Sequence, residues 1–332
     1  MTNNKLFILT LATLVLIAVA CSKKSSEPLK GTWIEINDFS GLSRSDAASF
    51  VIGKYGYICT GYNGDECMRD VWQFDSETDA WIQKGQFPGI ERACAVAFTI
   101  GNKGYMGLGY NGVNYMNDFW EYDPDSDTWT EKASFPGSGR SGAYGFSLAG
   151  KGYVGCGFDN NFLNDFYEYD PVNDKWTLMS TPPEYRGAYG NTFVYGGRGF
   201  VFGGENNGTP TTNFDSYNPS TDQWNQLRNT ANTSKMSFDN GYTDLARESG
   251  AAFQIGNYAY VSIGQRGGTY LQSTWQYDIM NDLWDQVADF PGVGRRGAAY
   301  FTFDTYGIII GGKFGYYYLD DVWKFIPEDI QD

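Results

Sequence analysis

The sequence predicts an all-β fold of six repeated units, each an antiparallel sheet of four strands. Three observations predict it: a repeat period of about 50 residues, Gly-containing turns between short aromatic and β-branched runs, and the lack of sustained helical periodicity beyond the N-terminal segment. The chain has 332 residues, of which 42% are hydrophobic and 17% aromatic. This composition is ample for a large buried core.

One unit shows the strand pattern clearly. Its first strand covers residues 93–100, and its second strand follows a Gly-Asn-Lys-Gly turn and covers residues 105–109. The third strand is predicted at residues 118–122, and an Asp- and Pro-containing turn separates it from a short fourth strand that begins at Trp129. Tight turns of this kind connect neighbouring strands of an antiparallel sheet.

Two markers recur once in each unit. A Trp that begins the fourth strand recurs at intervals of 47 to 60 residues, and an Arg that precedes the first strand recurs at intervals of 46 to 61. The Trp residues are Trp33, Trp81, Trp129, Trp176, Trp224 and Trp284. The Arg residues are Arg44, Arg92, Arg140, Arg186, Arg247 and Arg295. Six markers of each kind indicate six units.

The period, the third-strand aromatic residue, the Trp after the turn and a second-strand glycine pair resemble the kelch repeat. The glycine pair is intact at Gly203-Gly204 and Gly311-Gly312. The resemblance covers about residues 31–327 and implies a six-bladed kelch-type β-propeller. The strand around Trp33 has no complete unit before it, and the last unit lacks a Trp-led fourth strand. We therefore expect the N-terminal strand to complete the final blade and close the ring.

Residues 1–20 have the form of a bacterial signal peptide. A run of fifteen apolar residues follows Lys5, which is too short for a comfortable membrane span. Ala18 and Ala20 lead into Cys21, and this sequence resembles a lipobox. The favoured interpretation is a lipidated Cys21, and the alternative is ordinary signal cleavage beside an incidental Cys.

The mature protein is then expected to be anchored to the membrane through its lipid and a short polar tether. Residues 21–30 are polar, the propeller follows, and residues 328–332 form a tail. Ser22 stands where an Asp retains many lipoproteins at the inner membrane, so export and an outer-membrane location are predicted. The protein would face the periplasm or the cell surface.

Composition excludes several classes of function. A net charge of −15 is a poor match for nucleic acid, which is bound by Lys and Arg. The chain has no His, which argues against Ser-His-Asp chemistry and zinc or copper sites, including the copper site of the kelch enzyme galactose oxidase. We expect a monomer with no metal and no cofactor. The remaining cysteines have no paired spacing that would predict a disulfide framework: Cys59, Cys67, Cys94 and Cys156.

The six marker Arg residues are candidate ligand-binding residues. In kelch propellers the first strand lies nearest the axis, so the resemblance implies that they surround the mouth of the central channel. A guanidinium binds a carboxylate through two parallel hydrogen bonds. An Arg that recurs in every unit can equally serve the repeat itself, by bonding backbone carbonyls or a carboxylate of the scaffold. Aromatic residues in the loops between second and third strands are further candidates, because rings stack on sugars and form protein-binding hot spots: Tyr110, Phe158, Tyr270 and Phe314.

Three departures from the repeat lie in units four and five. Glu205 follows the glycine pair, in a position that resembles the catalytic Glu of bacterial N-acetylneuraminate epimerases, although the Arg that follows in those enzymes is missing. Arg266 is added to the corresponding loop of unit five, and residues 229–242 are a polar insertion. Because regular units contain what packing needs, we expect the ligand against these two units, with Glu205 as the candidate catalytic residue.

Two classes of function remain open from the sequence. The favoured one is a non-catalytic binding module of the cell envelope, with a glycan or a protein ligand at the channel mouth. The alternative is a sugar epimerase or mutarotase that acts on a carboxylated sugar such as N-acetylneuraminate. Ring opening needs a tuned acid–base group and an anion-binding group, and neither has to be His.

The lipid anchor gives the first testable prediction. Cys21→Ser removes the only thiol that the lipobox-like sequence offers for lipidation, so the exported protein should move from the membrane fraction to the soluble fraction. Cell fractionation followed by immunoblotting measures this. A Cys59→Ser variant serves as the matched control and should stay with the membranes. Unchanged membrane association of Cys21→Ser would contradict lipidation.

Overall fold

The computed structural model describes residues 29–183, 187–231, 242 and 244–328. Within these residues every helix-or-strand element is a β-strand, and the strands form six four-stranded antiparallel sheets, the blades, and two small hairpins. No helix in this part of the chain is long and apolar enough to cross a membrane. The predicted all-β, six-bladed propeller is confirmed.

The strands follow the predicted order of four per blade. The chain begins with β1 (Thr32–Ile36), which precedes the first blade. Blade one contains β2 (Ala48–Ile52), β3 (Tyr55–Cys59), β4 (Val71–Asp75) and β5 (Ala80–Lys84). Blade two contains β6 (Val96–Ile100), β7 (Lys103–Gly107), β8 (Phe119–Asp123) and β9 (Thr128–Lys132). Blade three contains β10 (Tyr144–Leu148), β11 (Lys151–Gly155), β12 (Phe166–Asp170) and β13 (Lys175–Leu178).

The second half of the chain adds two short hairpins to this pattern. Blade four contains β14 (Asn191–Tyr195), β15 (Arg198–Phe202), the hairpin β16 (Glu205–Asn206) and β17 (Thr209–Pro210), then β18 (Phe214–Asn218) and β19 (Gln223–Gln226). Blade five contains β20 (Ala251–Ile255), β21 (Tyr258–Ser262), the hairpin β22 (Gln265–Arg266) and β23 (Thr269–Tyr270), then β24 (Thr274–Asp278) and β25 (Leu283–Val287). Blade six contains β26 (Ala299–Thr302), β27 (Gly307–Phe314) and β28 (Tyr317–Ile326).

The N-terminal strand supplies the fourth strand of blade six. β1 pairs antiparallel with β28, beginning with Thr32 opposite Ile326. Trp33 fixes this strand: its ring centroid lies 4.9 Å from that of Phe325, and its indole Nε1 donates to the Ala288 carbonyl at 3.0 Å. The expected closure of the ring is therefore confirmed, because β1 covers the edge of β28 and completes the four-stranded sheet of blade six.

The blades join through an aromatic ring packed on a small residue. The first strands contact one another around the axis in the order β2, β6, β10, β14, β20 and β26. At each junction a first-strand Phe covers a second-strand position of the next blade, and a Cβ added to Gly152 would come within 2.5 Å of Phe98. A larger residue would push the blades apart. The other junctions are Phe50–Gly104, Phe146–Gly199, Phe193–Ala259, Phe253–Gly307 and Phe301–Gly56.

A ring of six backbone hydrogen bonds narrows the channel just before the first strands. Each N–H donates to the carbonyl of the equivalent residue in the neighbouring blade, at 2.6 to 3.1 Å. All six residues have the left-handed backbone conformation, with φ between 49° and 63°. We call this set the neck: Asp46, Cys94, Gly142, Tyr189, Ser249 and Gly297. Farther along the axis lies a cavity of about 310 Å³, lined by first-strand side chains such as Thr99 and Thr192.

Buried Arg side chains hold the loops that lead into the neck. Arg92 shows the pattern: Nε donates to the Ile90 carbonyl at 2.8 Å, Nη1 donates to the Leu108 carbonyl at 3.0 Å, and both Nη atoms donate to the Asp118 carboxylate. The guanidinium lies 4.9 Å from the centroid of the Phe87 ring, in cation–π range. Arg44, Arg140 and Arg295 repeat this arrangement with Asp70, Asp165 and Asp321.

This placement corrects the expectation that the Arg ring surrounds the channel mouth. Arg44, Arg92, Arg140, Arg247 and Arg295 are at most 3% exposed, and their hydrogen bonds go to scaffold carbonyls and side chains. They recur because each blade needs the same connection between its loops. Their geometry matches the alternative interpretation, in which the recurring Arg residues bond carbonyls and carboxylates of the scaffold.

Blade four lacks this Arg at the equivalent position. The N–H of Gly157 in blade three donates to the carbonyl of Gly187. The equivalent bond one blade earlier runs from the N–H of Gly109 to the carbonyl of Arg140. Gly187 therefore occupies the Arg position, and matching the repeats on Arg186 shifts them by one residue. Arg186 itself lies outside the described residues.

A substitution of Arg92 tests its structural role. Arg92→Ala leaves the half-buried Asp118 carboxylate without its partner, so we expect the free energy of unfolding to fall by roughly 3–5 kcal/mol. Arg69→Ala, at an exposed position of the same face, should change it by less than about 0.5 kcal/mol. Urea unfolding followed by Trp fluorescence measures both. Equal small effects would contradict the scaffold role.

Candidate functional site

Two residues from each blade meet around the channel mouth, the end at which the first strands begin. The residue after each buried-Arg position forms an antiparallel bridge with the residue that opens the loop after the second strand. This fixes both side chains at the mouth, blade by blade. The pairs are Ser45–Tyr62, Ala93–Tyr110, Ser141–Phe158, Ala188–Glu205, Glu248–Gln265 and Arg296–Lys313.

Blades one to three contribute aromatic residues to the mouth. The ring centroids of Tyr110 and Tyr115 lie 4.6 Å apart, those of Tyr115 and Phe158 lie 6.2 Å apart, and those of Phe158 and Phe162 lie 5.0 Å apart. These four half-buried rings form a continuous row across two blades, which we call the aromatic strip. The Tyr110 hydroxyl donates to the Gly112 carbonyl at 2.7 Å, which holds its ring in place.

Blades four to six contribute charged residues. Glu205, Glu248, Arg296 and Lys313 occupy consecutive mouth positions, and we call them the charged arc. Glu248 is buried, at 8% exposure, and the other three are half-buried. Within the described part of the chain, no salt bridge joins the two cations of the arc to its two carboxylates, and the buried Nε of Arg296 has no hydrogen-bond partner. Such groups are costly to keep unless a ligand completes their bonds.

The carboxylates of the arc share their electrostatic environment. Burial, and then the neighbouring Glu205 carboxylate with which it shares a hydrogen bond, raises the pKa of Glu248 to about 7, against the opposing effect of Arg296. Burial alone would lower the pKa of Arg296, but the carboxylates of Asp46 and Glu248 raise it above its ordinary value. Glu248 therefore holds its proton more tightly than an ordinary carboxyl does, beside Glu205 and close to Arg296.

The neck forms the floor of the mouth. Tyr189 is its one large side chain; it lies across Gly142, where an added Cβ would come within 2.5 Å of the ring. Its hydroxyl is 3.0 Å from the Ser141 hydroxyl, and burial raises the pKa of Tyr189. Asp46 adds a carboxylate below Arg296 and accepts a hydrogen bond from the Ser45 hydroxyl at 2.7 Å.

Several predicted site residues do reach the mouth or its rim. Glu205 lies in the charged arc, and Tyr110 and Phe158 lie in the aromatic strip. Tyr270 and Phe314 pack together at the rim, with ring centroids 5.1 Å apart, and the exposed fraction of Phe314 is 42%. Arg266 lies in the hairpin strand β22. Residues 232–241 of the insertion lie outside the described residues, as does Cys21.

Glu248, Arg296 and Lys313 are site residues that the sequence reading missed. The signal was present in the repeat: the residue after the buried-Arg position, which is Gly187 in blade four, is Ser or Ala in blades one to four. In blades five and six it is Glu248 and Arg296. Likewise, Lys313 replaces the aromatic residue that opens the loop in blades one to three. These departures become visible once the register of blade four is set on Gly187.

The arrangement supports stacking, anion binding and proton transfer in one opening. The aromatic strip offers faces for C–H groups, the two cations offer donors to an anion, and the carboxyl pair can accept or donate a proton near neutral pH. No cluster of three or more potential metal-ligating side chains occurs among the residues that the structure describes.

Comparison with known proteins identifies the repeat family. The KLHDC2/KLHL20/DRC7 Kelch-repeats domain matches residues 2–152, and the Kelch motif matches residues 152–183 and 189–230, together more than half of the chain. A solved structure entitled "Structure of YjhT" is similar, with a TM-score of 0.71, 17% sequence identity, and coverage of 88% of this chain and 97% of that one. None of the curated proteins matches the chain. On the family matches and the six observed blades, this protein belongs to the kelch-repeat β-propeller family.

Proposed function

We propose that the channel mouth binds a glycan and that the protein acts as a non-catalytic binding module. The observation that carries this proposal is the division of one opening into an aromatic strip and a charged arc whose ionic groups are not paired with each other. Carbohydrate sites combine these two features, because a sugar has both C–H faces and hydroxyl groups.

The aromatic strip supplies the apolar part of the site. Tyr110 and Phe158 are only half-buried although their neighbouring rings pack well, so a part of each ring is accessible to a ligand. The rings are held by each other and by the Tyr110 hydroxyl bond, so little side-chain freedom is lost on binding. A sugar lying on this strip reaches the arc on the opposite side of the mouth.

The charged arc supplies orientation. Arg296 and Lys313 favour an acidic group on the sugar, whereas the protonated Glu205–Glu248 pair can both donate to and accept from hydroxyl groups. Because the neck N–H groups are all used in the backbone ring, side chains have to bind the anion. An acidic glycan therefore fits the arc better than a neutral one.

A second candidate function is sugar epimerisation or mutarotation on a carboxylated sugar. The specific observation in its favour is the placement of Glu248 beside Glu205 at the mouth, where burial and the Glu205 carboxylate raise the pKa of Glu248 to about 7. Ring opening removes a proton from the anomeric hydroxyl and delivers one to the ring oxygen as the carbon–oxygen bond breaks and a carbonyl forms. A carboxyl pair that shares one proton can carry out both transfers.

Export, lipidation at Cys21 and location at the outer membrane remain predictions from the sequence, since residues 1–28 lie outside the described part.

Binding-site variants test the proposed glycan site. Tyr110→Ala and Arg296→Ala should each weaken glycan binding by about tenfold or more, since each removes contacts worth at least about 1.4 kcal/mol. A glycan array identifies the ligand and isothermal titration calorimetry measures its affinity. Lys103→Ala, at the start of β7 in blade two and outside the mouth, is the control and should bind as the parent does. Unchanged affinity in both mouth variants, with capture of a protein instead, would contradict the glycan proposal.

Glu248→Gln tests the shared proton. In the folded protein the carboxyl keeps its proton between its ordinary pKa of 4.5 and about 7, so the stability of the parent should fall as the pH rises through this range. The variant should lack this fall and should exceed the parent in free energy of unfolding by roughly 1–3 kcal/mol at pH 8. Urea unfolding at pH 5 and pH 8 measures it, and the same dependence in parent and variant would contradict a raised pKa.

The same variant separates binding from catalysis. NMR exchange spectroscopy between the anomers of a carboxylated sugar detects mutarotation directly. Acceleration by the parent that is lost in Glu248→Gln and Glu205→Gln would establish the enzyme and remove the non-catalytic proposal. We expect binding without acceleration.

A further inference from the structure

A second cavity lies between blades four and five, at positions other than those of the mouth. Its volume is about 310 Å³, at the lower end of the range for small-molecule sites. Phe200, Ser216 and Leu227 line it from blade four, and Tyr277 and Ile279 line it from the third strand of blade five and the turn that follows. Most of this wall is apolar.

The cavity follows from two departures in blade four. In four other blades a second-strand Tyr is hydrogen-bonded to a Gln or Glu directly opposite it on the third strand, at 2.6 to 2.8 Å. Blade four has Phe200 opposite Ser216 in this register, so both the hydroxyl and the long side chain are missing. The regular pairs are Tyr57–Gln73, Tyr105–Glu121, Tyr153–Glu168 and Tyr260–Gln276.

A third departure places a cation in the wall. In blades two and three the first residue of the second strand is a Lys that forms a salt bridge with the Asp near the end of the third strand, as in Lys103–Asp123 at 2.7 Å. Blade four has Arg198 at this register and Asn218 opposite it, so the strand pair offers no carboxylate to the guanidinium. Among the described residues the Arg198 guanidinium has no hydrogen bond or salt bridge.

The other charged group of the wall is already engaged. Asp282 accepts a hydrogen bond from the Tyr277 hydroxyl at 2.9 Å and another from the backbone N–H of Arg228 at 3.3 Å. These two hydrogen bonds hold the Asp282 carboxylate in place at the end of the turn. Arg198 is therefore the group of the wall that can bind an incoming anion, and Ser216 and Asn225 add neutral polar groups.

We propose that this cavity binds a small molecule with a flat apolar body and one carboxylate, such as an arylalkanoate. The body lies against Phe200, Tyr277 and Ile279, and the carboxylate takes two hydrogen bonds from Arg198. Loss of the Tyr–Glu pair, loss of the Lys–Asp pair and the resulting opening coincide at one place in the repeat. Two separate pair losses that together make a cavity and leave its cation without an ion pair are typical of a site rather than of relaxed packing.

Phenylacetate and its neutral analogue phenylacetamide are the probes. Titration of the full mature chain, followed by NMR chemical shifts, should show saturable binding of phenylacetate that is about tenfold tighter than that of phenylacetamide. Arg198→Gln should remove this preference. Arg296→Ala, at the mouth, should keep it, so the outcome is independent of the proposed glycan site.

A repaired blade gives the sharper test. The double variant Phe200→Tyr, Ser216→Glu restores the pair found in blade three, fills the cavity and should abolish phenylacetate binding without lowering the melting temperature. If the double variant does not fold, two single variants test the proposal. Arg198→Gln changes a half-buried side chain and removes the cation, and Ser216→Gln fills the cavity by a single substitution. The proposal is overturned if the parent shows no saturable shift up to about 10 mM probe. It is equally overturned if Ser216→Gln or the repaired variant binds like the parent, or if Arg296→Ala alone loses the preference.

Discussion

The buried guanidinium of each regular blade is the interaction on which the rest of the structure depends. Arg92 joins its own loop, the end of the second strand and the start of the third strand through one planar group. Burial of a charge is expensive, and the bidentate carboxylate, two carbonyls and an aromatic face offset that cost. Because the next residue in the chain faces the mouth, the position of every mouth side chain depends on this buried group.

The same interaction explains where the propeller departs from regularity. In blade five Ser273 takes the place of the Asp, so Arg247 bonds a hydroxyl and backbone carbonyls, and burial lowers its pKa to about 10. In blade four the Arg position is Gly187. The two carboxylates of the charged arc and the second cavity lie on these irregular blades, and the cations of the arc lie on the neighbouring blade six. The aromatic strip lies on the regular blades two and three.

The fold could be predicted from the sequence because the residues that pack each blade recur in six successive units. The Trp and Arg spacing predicted the number of blades, and the two incomplete ends predicted the pairing of β1 with β28. The site could be predicted only in part. Recurrence drew attention to the marker Arg residues, yet a residue that recurs in the blades is one that packing uses. The five marker Arg residues that the structure describes are all buried. Glu248, Arg296 and Lys313 face the mouth because the bridges set their direction. Matching blade four on Arg186, one residue too early, conceals that Ser or Ala occupies the equivalent position in blades one to four.

The closure of blade six has a consequence for the order of folding. Thr32 pairs with Ile326, so the first strand of the propeller has to wait until its last strand has been synthesised. Every other blade is built from neighbouring segments and can form as it is made, whereas the ring is complete only when the whole chain is available. Until that moment the edge of β28 and the faces covered by Trp33 are exposed to other chains. The vulnerable period of this protein is thus the interval between synthesis of blade six and the return of its N-terminal strand.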